Sequence, residues 1–175
     1  GIMWRVNIRR PDGTPKYIGP KGWAPALYGL DTVAAGVPVV VCEGEFDALI
    51  LRQEAGGLVN TVAAGGASSG RNVEHVAKLL LAPVVLVAFD LDEAGESGAE
   101  HWRNALPHVH QSRPYAHDLN DMHTGGLSLS DWARDWLRLA GYEHRQETRQ
   151  VLGESSGSSV DVLEEEPDGL PFDPE

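Results

Sequence analysis

The chain has 175 residues, of which 42% are hydrophobic, and a formal net charge of −12 at pH 7. This length corresponds to one ordinary domain with a small appendage, and the hydrophobic content suffices for a core. The acidic charge argues against broad, non-specific binding of nucleic acid, and the single cysteine, Cys42, excludes an internal disulfide bond and a thiolate zinc cluster.

The sequence contains no signal for membrane insertion or export. No run of about 18 apolar residues occurs in it. Arg5, Arg9 and Arg10 interrupt the N-terminal region before the apolar core of a signal peptide could form. We therefore expect a cytoplasmic protein that has no membrane partner.

Residues 1–30 form a basic N-terminal segment with five basic residues and one acidic residue. Alternation at residues 4–9, a turn signal at residues 11–13 and a short run at residues 16–18 predict a β-hairpin. The segment is too small to fold alone, so we interpret it as the end of a neighbouring subdomain. Its charge allows a local track for phosphate groups.

From residue 37 onward the sequence alternates between strand and helix patterns. Apolar, β-branched runs predict strands at residues 37–42, 58–64, 84–89 and 109–115. Helical stretches between them are predicted at residues 46–54, 72–81 and 94–105. This alternation predicts an α/β, Rossmann-like fold with a sheet of about four parallel strands and helices on both faces.

The C-terminal part is predicted to contain a loop, a helix and a disordered tail. A loop at residues 116–126 precedes an amphipathic helix at residues 129–140, with Trp132, Trp136 and Leu139 on one stripe. We interpret the tryptophans as packing against the sheet rather than as a base-stacking platform. Ser128 begins a capping box, and Gly141 is a stop signal.

These patterns divide the chain into four segments. The segments are a basic N-terminal segment at 1–30, a core at 31–125, a C-terminal amphipathic helix at 126–147 and a disordered acidic tail at 148–175. Residues 146–175 contain nine acidic residues and one basic residue. The tail is interpreted as solubilising, although residues 164–172 also resemble the acidic tip of bacterial single-stranded-DNA-binding proteins.

Acidic side chains follow the third predicted strand, where Asp90 and Asp92 end a buried apolar run. Two carboxylates so close together repel each other unless a proton or a cation intervenes, and Mg²⁺ prefers oxygen ligands of this kind. The alternative is that they are the acidic first turn of the next helix, where they complement the helix dipole.

Two further acidic groups occupy equivalent positions. Glu43 follows the first strand, with Asp47 one helical turn later, and Asp118 follows the fourth strand in the sequence His-Asp-Leu-Asn-Asp. Ligands of open parallel sheets bind outside the carboxyl ends of the strands, so the three groups together favour a divalent-metal site. The alternatives are a helix N-terminal acid at Glu43 and a turn-forming residue at Asp118.

The glycines do not indicate a phosphate-binding loop of the nucleotide-hydrolase type, and the histidines do not indicate a zinc site. Gly65 and Gly66 are not part of a phosphate-binding loop of the nucleotide-hydrolase type, because no Gly-Lys-Ser/Thr follows, and we expect them to turn the backbone sharply beside the acidic centre. Four histidines fall near the fourth strand, but their spacing matches no common zinc pattern. They are His108, His110, His117 and His123.

Four motifs in this order resemble the successive motifs of a Toprim domain. They are residues 43–49, the pair 65–66, residues 89–95 and residues 118–121, so that the resemblance covers about residues 37–125. Toprim domains occur in bacterial-type primases, primase-helicases, topoisomerases and some nucleases. The Asp-x-Asp-x-Ala-Gly form of residues 90–95 is most similar to the bacterial and phage DNA primase and primase-helicase group.

The resemblance implies roles for particular residues. Glu43, Asp90 and Asp92 would be catalytic, with Glu43 as general base or metal ligand. The implied ligands for Mg²⁺ or Mn²⁺ are Glu43, Asp47, Asp90, Asp92 and Asp118, and the residues implied to contact nucleotide or template phosphates are Lys16, Lys21, Gly65 and Gly66. Two departures weaken the match, since Glu96 replaces a basic residue and Asn120 stands where primases often have Asp.

The function implied by the resemblance is that of a primase-type DNA-directed RNA polymerase. Such an enzyme makes RNA primers from ribonucleoside triphosphates on single-stranded DNA during replication, together with a replicative helicase in cis or in trans. The alternatives are a metal-dependent Toprim nuclease and a non-catalytic nucleic-acid-binding module of a larger replication protein. The sequence has no evident zinc-binding template module or helicase motif, so isolated activity is expected to be weak.

Overall fold

A computed structural model describes residues 8–14, 17–19, 21, 26–69 and 73–142 of the chain. The first part of the predicted strand at 4–9, Lys16 and the acidic tail at 148–175 lie outside the described residues. The four segment boundaries therefore stay a prediction. In the part that is described, no helix has the length and apolar character needed to cross a membrane.

The N-terminal segment contains the predicted hairpin. Strand β1 (Ile8–Arg9) pairs antiparallel with β2 (Tyr17–Ile18), with Ile8 opposite Ile18. Pro11 and Asp12 lie in the turn between them, as the turn signal predicted. Further along, Tyr28 exchanges two backbone hydrogen bonds with Ala63, at 2.9 and 3.0 Å, and so attaches the end of this segment to the main sheet.

The main sheet of the described residues has four parallel strands. They are β3 (Val39–Cys42), β4 (Asn60–Ala63), β5 (Val85–Ala88) and β6 (Val109–Gln111). Their order is β4-β3-β5-β6, and every neighbouring pair is parallel. All residues of β3 and β5 are buried, which explains why these strands read as continuous apolar runs rather than as alternating ones.

In the described part of the chain, five α-helices cover the two faces of this sheet. They are α1 (Glu45–Ala55), α2 (Val73–Leu79), α3 (Glu93–Ala105), α4 (Leu119–Thr124) and α5 (Leu129–Leu139). Side chains of α1, α4 and α5 share one buried cluster with Val40 and Leu86. Side chains of α2 and α3 share the other with Val41 and Val87. Alternate strand residues thus face opposite layers, and the predicted fold with helices on both faces is confirmed.

The predicted loop at residues 116–126 is wrong, because it contains helix α4. Asp118 is its N-cap, with Oδ1 accepting a hydrogen bond from the backbone N–H of Asp121 at 2.6 Å. A six-residue segment rich in Asp, Asn, His and Thr has little intrinsic helix propensity. Burial of Leu119 and Met122 in the core stabilises it instead.

Two smaller expectations also need correction. Strand β6 ends at Gln111 rather than at residue 115, since Pro114 lacks the N–H group that a continuing strand would use. Leu139 was predicted on the buried stripe of α5, but 74% of it is exposed. Trp132 on that stripe is fully buried, and Trp136 packs against the same cluster, so the predicted packing of the tryptophans is confirmed.

Candidate metal centre

The strand order creates a crevice between β3 and β5. From β3 the chain continues to β4 on one side, whereas β5 and β6 lie on the other side. At such a switch point the loops that follow the two central strands diverge, and ligands bind outside their carboxyl ends. Glu43 directly follows β3, and Asp90 lies two residues beyond β5. The two carboxylates therefore border the crevice.

Glu43 is held in place by the predicted glycine turn. The backbone N–H groups of Gly65 and Gly66 both donate to the carbonyl oxygen of Glu43, at 2.9 and 3.1 Å. The two glycines have φ angles of 76° and 129°, which side-chain-bearing residues rarely adopt. The glycines thus turn the backbone sharply beside the acidic centre, as the sequence predicted, and their hydrogen bonds hold the backbone of Glu43. Contact of these glycines with a nucleotide stays a prediction.

The carboxylate of Glu43 has an unsatisfied oxygen. Its Oε2 atom is buried and has no hydrogen-bond partner among the described residues. Burial, and then the neighbouring charge of Asp90, raise the pKa of Glu43, while hydrogen bonds from the backbone N–H groups of Asp90 and Ala67 oppose the rise. A buried carboxylate oxygen without a donor is expected to take up a proton or a cation.

Asp47 lies in the first turn of α1 and connects this helix to the first turn of α4. Its Oδ1 accepts a hydrogen bond from the backbone N–H of Asn120 at 3.0 Å. Burial, followed by the charge of Asp118, raises the pKa of Asp47 to about 6. A Cβ atom at Gly44 would lie 2.9 Å from Oδ2 of Asp47, so the absence of a side chain there leaves room for that oxygen.

Asp90 and Asp118 approach each other together with His117. One ligand atom from each of the three lies within 4.8 Å of the others. Burial raises the pKa of Asp90, as does the charge of Asp118, whereas a protonated His117 lowers it. The backbone N–H of Leu91 donates to the carbonyl oxygen of His117 at 3.0 Å and fixes the two loops to each other.

Asp92 is placed differently from the other predicted ligands. It is the exposed N-cap of α3, and its Oδ1 accepts a hydrogen bond from the backbone N–H of Gly95 at 2.7 Å. This is the helix-start interpretation that the sequence offered as an alternative. Its charge nevertheless contributes to raising the pKa of Asp90, and its metal-binding and catalytic roles stay predictions.

The phosphate contacts predicted for the basic residues stay predictions. Lys16 lies outside the described residues, and Lys21 is an exposed turn residue whose contact with phosphate stays a prediction. Glu96, which replaces a basic residue of the family pattern, accepts hydrogen bonds from Arg113 at 2.9 Å and from Gln111 at 2.8 Å. It therefore connects α3 to the end of β6.

His117 and Asp121 were not among the predicted site residues. His117 directly precedes Asp118, and the charge of Asp121 contributes to raising the pKa of Asp90. Both lie in the His-Asp-Leu-Asn-Asp sequence that contains Asp118, but no local pattern distinguishes them as ligands. The site thus offers several closely spaced carboxylates as metal ligands, and one oxygen, Glu43 Oε2, has no hydrogen-bond partner among the described residues. Such a site suits a divalent cation that prefers oxygen ligands.

The raised pKa of Asp47 predicts that ionisation of this carboxyl group lowers the stability of the fold. Its pKa is 3.8 ordinarily and about 6 in the fold, so its ionisation opposes folding as the pH rises from about 4 through 6. We expect Asp47→Asn to increase the free energy of unfolding by about 1–2 kcal/mol at pH 7.5 without metal, allowing for solvent screening. Urea denaturation should show the gain disappear near pH 4.

The matched control for this experiment is Asp31→Asn, an exposed acid outside the cluster. It should leave the unfolding free energy within about 0.5 kcal/mol of the parent at both pH values. Added Mg²⁺ should stabilise the parent more than Asp47→Asn, because a ligand that binds only the folded state adds to its stability. Equal stability of Asp47→Asn and the parent at pH 7.5 would contradict the cost assigned to Asp47.

Comparison with known proteins finds similarity to one family of sequences and to several solved structures. The sequence profile of the Toprim-like family matches residues 40–123. No curated protein sequence gives a significant match. The primase fragment of the bacteriophage T7 primase-helicase protein is similar in structure, with a TM-score of 0.56 and 23% identity over 72% of this chain and 54% of that one.

Two further solved structures share the fold. One is a chain in a complex of the bacteriophage T7 lagging-strand DNA polymerase with primase domains bound to an RNA/DNA hybrid and dTTP. It has a TM-score of 0.57 and 25% identity over 70% of this chain and 64% of that one. The other is the DnaG catalytic core, with a TM-score of 0.51 and 22% identity over 77% of this chain and 57% of that one.

This chain thus spans between 54% and 64% of the length of these three structures. The family match begins within β3 and ends within α4, so it includes all the strand ends that carry the acidic groups. Residues 40–123 of this chain therefore match the Toprim-like family profile, and the chain has a fold similar to that of the DNA primase catalytic core.

Proposed function

We propose that this chain is the catalytic Toprim domain of a DNA primase or primase-helicase. It uses Mg²⁺ or Mn²⁺ to make RNA primers from ribonucleoside triphosphates on single-stranded DNA during replication. The observation that carries the proposal is the convergence of carboxylates from three strand ends on the crevice between β3 and β5. Burial and the neighbouring acidic charges raise the pKa of Glu43, Asp47 and Asp90 there. The shared fold with primase structures supports the same conclusion.

In the proposed mechanism the carboxylates have two tasks. Asp47, Asp90 and Asp118 hold the divalent ion, with Asp92 contributing the oxygen that does not cap α3. A bound metal ion supplies neutralisation of the triphosphate charge and stabilisation of the leaving oxygen. Burial and, after it, the charge of Asp118 raise the pKa values of Asp47 and Asp90. These two carboxylates suit the task because a cation would relieve the repulsion between the acids.

Glu43 is the general base of the proposed reaction. The 3′-oxygen of the primer attacks the α-phosphorus of the incoming nucleotide, pyrophosphate leaves, and the proton of the 3′-hydroxyl is transferred to Glu43. Its Oε2 is free of hydrogen bonds to the described residues, and its raised pKa makes it a better proton acceptor than an ordinary glutamate. The glycine turn fixes the backbone from which this carboxylate projects.

The proposed partners are a single-stranded DNA template and a replicative helicase in cis or in trans. One of the similar structures is a fragment of a primase-helicase protein, which supports a helicase as partner. The basic segment at residues 1–30, including Lys16 and Lys21, is proposed to contact template or nucleotide phosphates. Its positive charge contrasts with the acidic remainder of the chain and would steer phosphate groups to the crevice.

The test is a primer-synthesis assay with the whole chain, labelled ribonucleoside triphosphates, single-stranded DNA and either Mg²⁺ or Mn²⁺. We expect short RNA products that disappear when the metal is chelated. Activity should be low, since the chain spans little more than half of the related primase structures. Addition of a replicative helicase should increase the yield if the partner proposal is correct.

The same assay separates the alternatives. Cleavage of labelled DNA in Mn²⁺ without nucleotides, in the absence of primer formation, would identify a Toprim nuclease. Binding of metal and single-stranded DNA without either reaction, even in the presence of a helicase, would identify a non-catalytic module. Either result would overturn the proposed primer synthesis.

A further inference from the structure

His117 is the one nitrogen donor in the group of potential ligands that the described residues bring together. Its imidazole, Asp90 and Asp118 each offer an atom within 4.8 Å of the others. Ligand atoms on one divalent ion with bond lengths near 2.1 Å are about 3–4 Å apart. The three side chains would therefore need only small rotations to bind the same ion.

The backbone already holds His117 beside the two acids. Its carbonyl oxygen accepts the hydrogen bond from Leu91, the residue after Asp90. Asp118 uses Oδ1 to cap α4, which leaves Oδ2 directed to the imidazole, 3.7 Å from Nδ1 of His117. The side chain of His117 is 55% exposed, so a solvated ion can reach it.

A second feature of the crevice is found at Glu43, which lies outside this group of three residues. Glu43 Oε2 is buried and without a partner among the described residues, and the charge of Asp90 acts on the Glu43 carboxylate. One oxygen of the carboxylate next to Asp90 thus lacks a hydrogen-bond donor among the described residues. A cation bound at Asp90 would also offset the repulsion that the charge of Asp90 exerts on Glu43.

We propose that His117 is a nitrogen ligand of this metal site and makes it bind Mn²⁺ and Co²⁺ in preference to Mg²⁺. The inference rests on the metal site of the proposed function but not on the reaction. Imidazole binds first-row transition-metal ions well, whereas Mg²⁺ requires oxygen ligands and exchanges its water for nitrogen reluctantly. The site is thereby distinguished from one built of carboxylates alone.

The test is calorimetric titration of the whole chain with Mn²⁺, Co²⁺ or Mg²⁺, without nucleotides or DNA. We expect His117→Ala to weaken binding of Mn²⁺ and Co²⁺ by about 10-fold or more, and to change Mg²⁺ affinity by less than about 3-fold. His117→Asp should strengthen Mg²⁺ binding relative to His117→Ala. Electron spin-echo spectroscopy of bound Mn²⁺ should show a nitrogen coupling that His117→Ala removes.

His110→Ala is the matched control, since His110 is an exposed histidine outside the group of three ligands. It should leave all three affinities unchanged. If the parent binds metal and Asp90→Asn prevents it while His117→Ala has no effect on Mn²⁺ or Co²⁺, the role of His117 is refuted and the metal site stands. If His117→Ala weakens Mg²⁺ equally, His117 positions Asp118 and is not a nitrogen ligand. Failure of the parent to bind any of the ions refutes both proposals.

Discussion

Replacement of Asp90 by alanine or asparagine is expected to reduce metal-dependent primer formation by at least about 100-fold, with the fold unchanged. Asp90 borders the crevice between β3 and β5. Burial and the charges of Asp118, Asp92 and Asp121 raise the pKa of its carboxyl group. We therefore expect Asp90 to be a central ligand of the metal ion. Removal of this charge leaves the remaining groups with less repulsion, so the variant should be at least as stable as the parent without metal.

Asp92 should be tested with asparagine rather than alanine. Its Oδ1 caps α3, and loss of an N-cap costs about 0.5–2 kcal/mol, so Asp92→Ala combines a stability effect with any loss of catalysis. Asp92→Asn keeps a capping oxygen and removes only the charge. Its primer formation should also fall by at least about 10-fold, while its urea denaturation midpoint should match that of the parent.

A neighbouring acid supplies the control for both variants. Glu93 is exposed in the first turn of α3 and is not a predicted ligand. Glu93→Gln should retain primer formation within about 2-fold of the parent, because a surface charge outside the cluster contributes little. If Asp90→Asn or Asp90→Ala still makes primers at the parental rate, the assignment of the catalytic site is wrong.

Replacement of Trp132 by alanine is expected to lower the free energy of unfolding by about 3–5 kcal/mol. The side chain is fully buried between α5 and the sheet, and its Nε1 donates a hydrogen bond to the carbonyl oxygen of Arg113 at 3.1 Å. Alanine would leave a large cavity and an unpaired carbonyl group. Urea denaturation should show a lower midpoint with little change in slope.

Leu139 provides a matched control on the same helix, since 74% of it is exposed. Leu139→Ala should change the free energy of unfolding by no more than about 0.5 kcal/mol. Trp132→Phe should lie between the two variants, because it keeps most of the apolar contact and loses the hydrogen bond to Arg113. A loss below about 1 kcal/mol in Trp132→Ala would contradict the role of this side chain in attaching α5 to the sheet.

The sequence alone determined the type and approximate position of most regular elements. The β-branched runs of β3 and β5 are buried on both faces, and this burial imposes a continuous apolar pattern that is visible without coordinates. Capping by Ser128 and the turn at Gly65 and Gly66 were predictable for a similar reason. Each is decided by the chemistry of adjacent residues.

Helix α4 was missed because its own sequence does not favour a helix over a loop. Its N-cap Asp118 is common in turns as well as at helix starts. What selects the helix is the burial of Leu119 and Met122 against side chains of α1 and α5. That contact joins parts of the chain that are distant in sequence, so the local pattern of residues 116–126 carried no sign of it.

The sequence also indicated most of the acidic residues of the metal centre, though not their arrangement. Glu43, Asp90 and Asp118 were chosen because each follows a predicted strand and matches a motif of the Toprim resemblance. The order β4-β3-β5-β6 decides which strand ends are neighbours, and it places the loops of β3 and β5 side by side. His117 joined the group only through that packing, because a ligand set drawn from separate loops depends on long-range contacts rather than on local spacing.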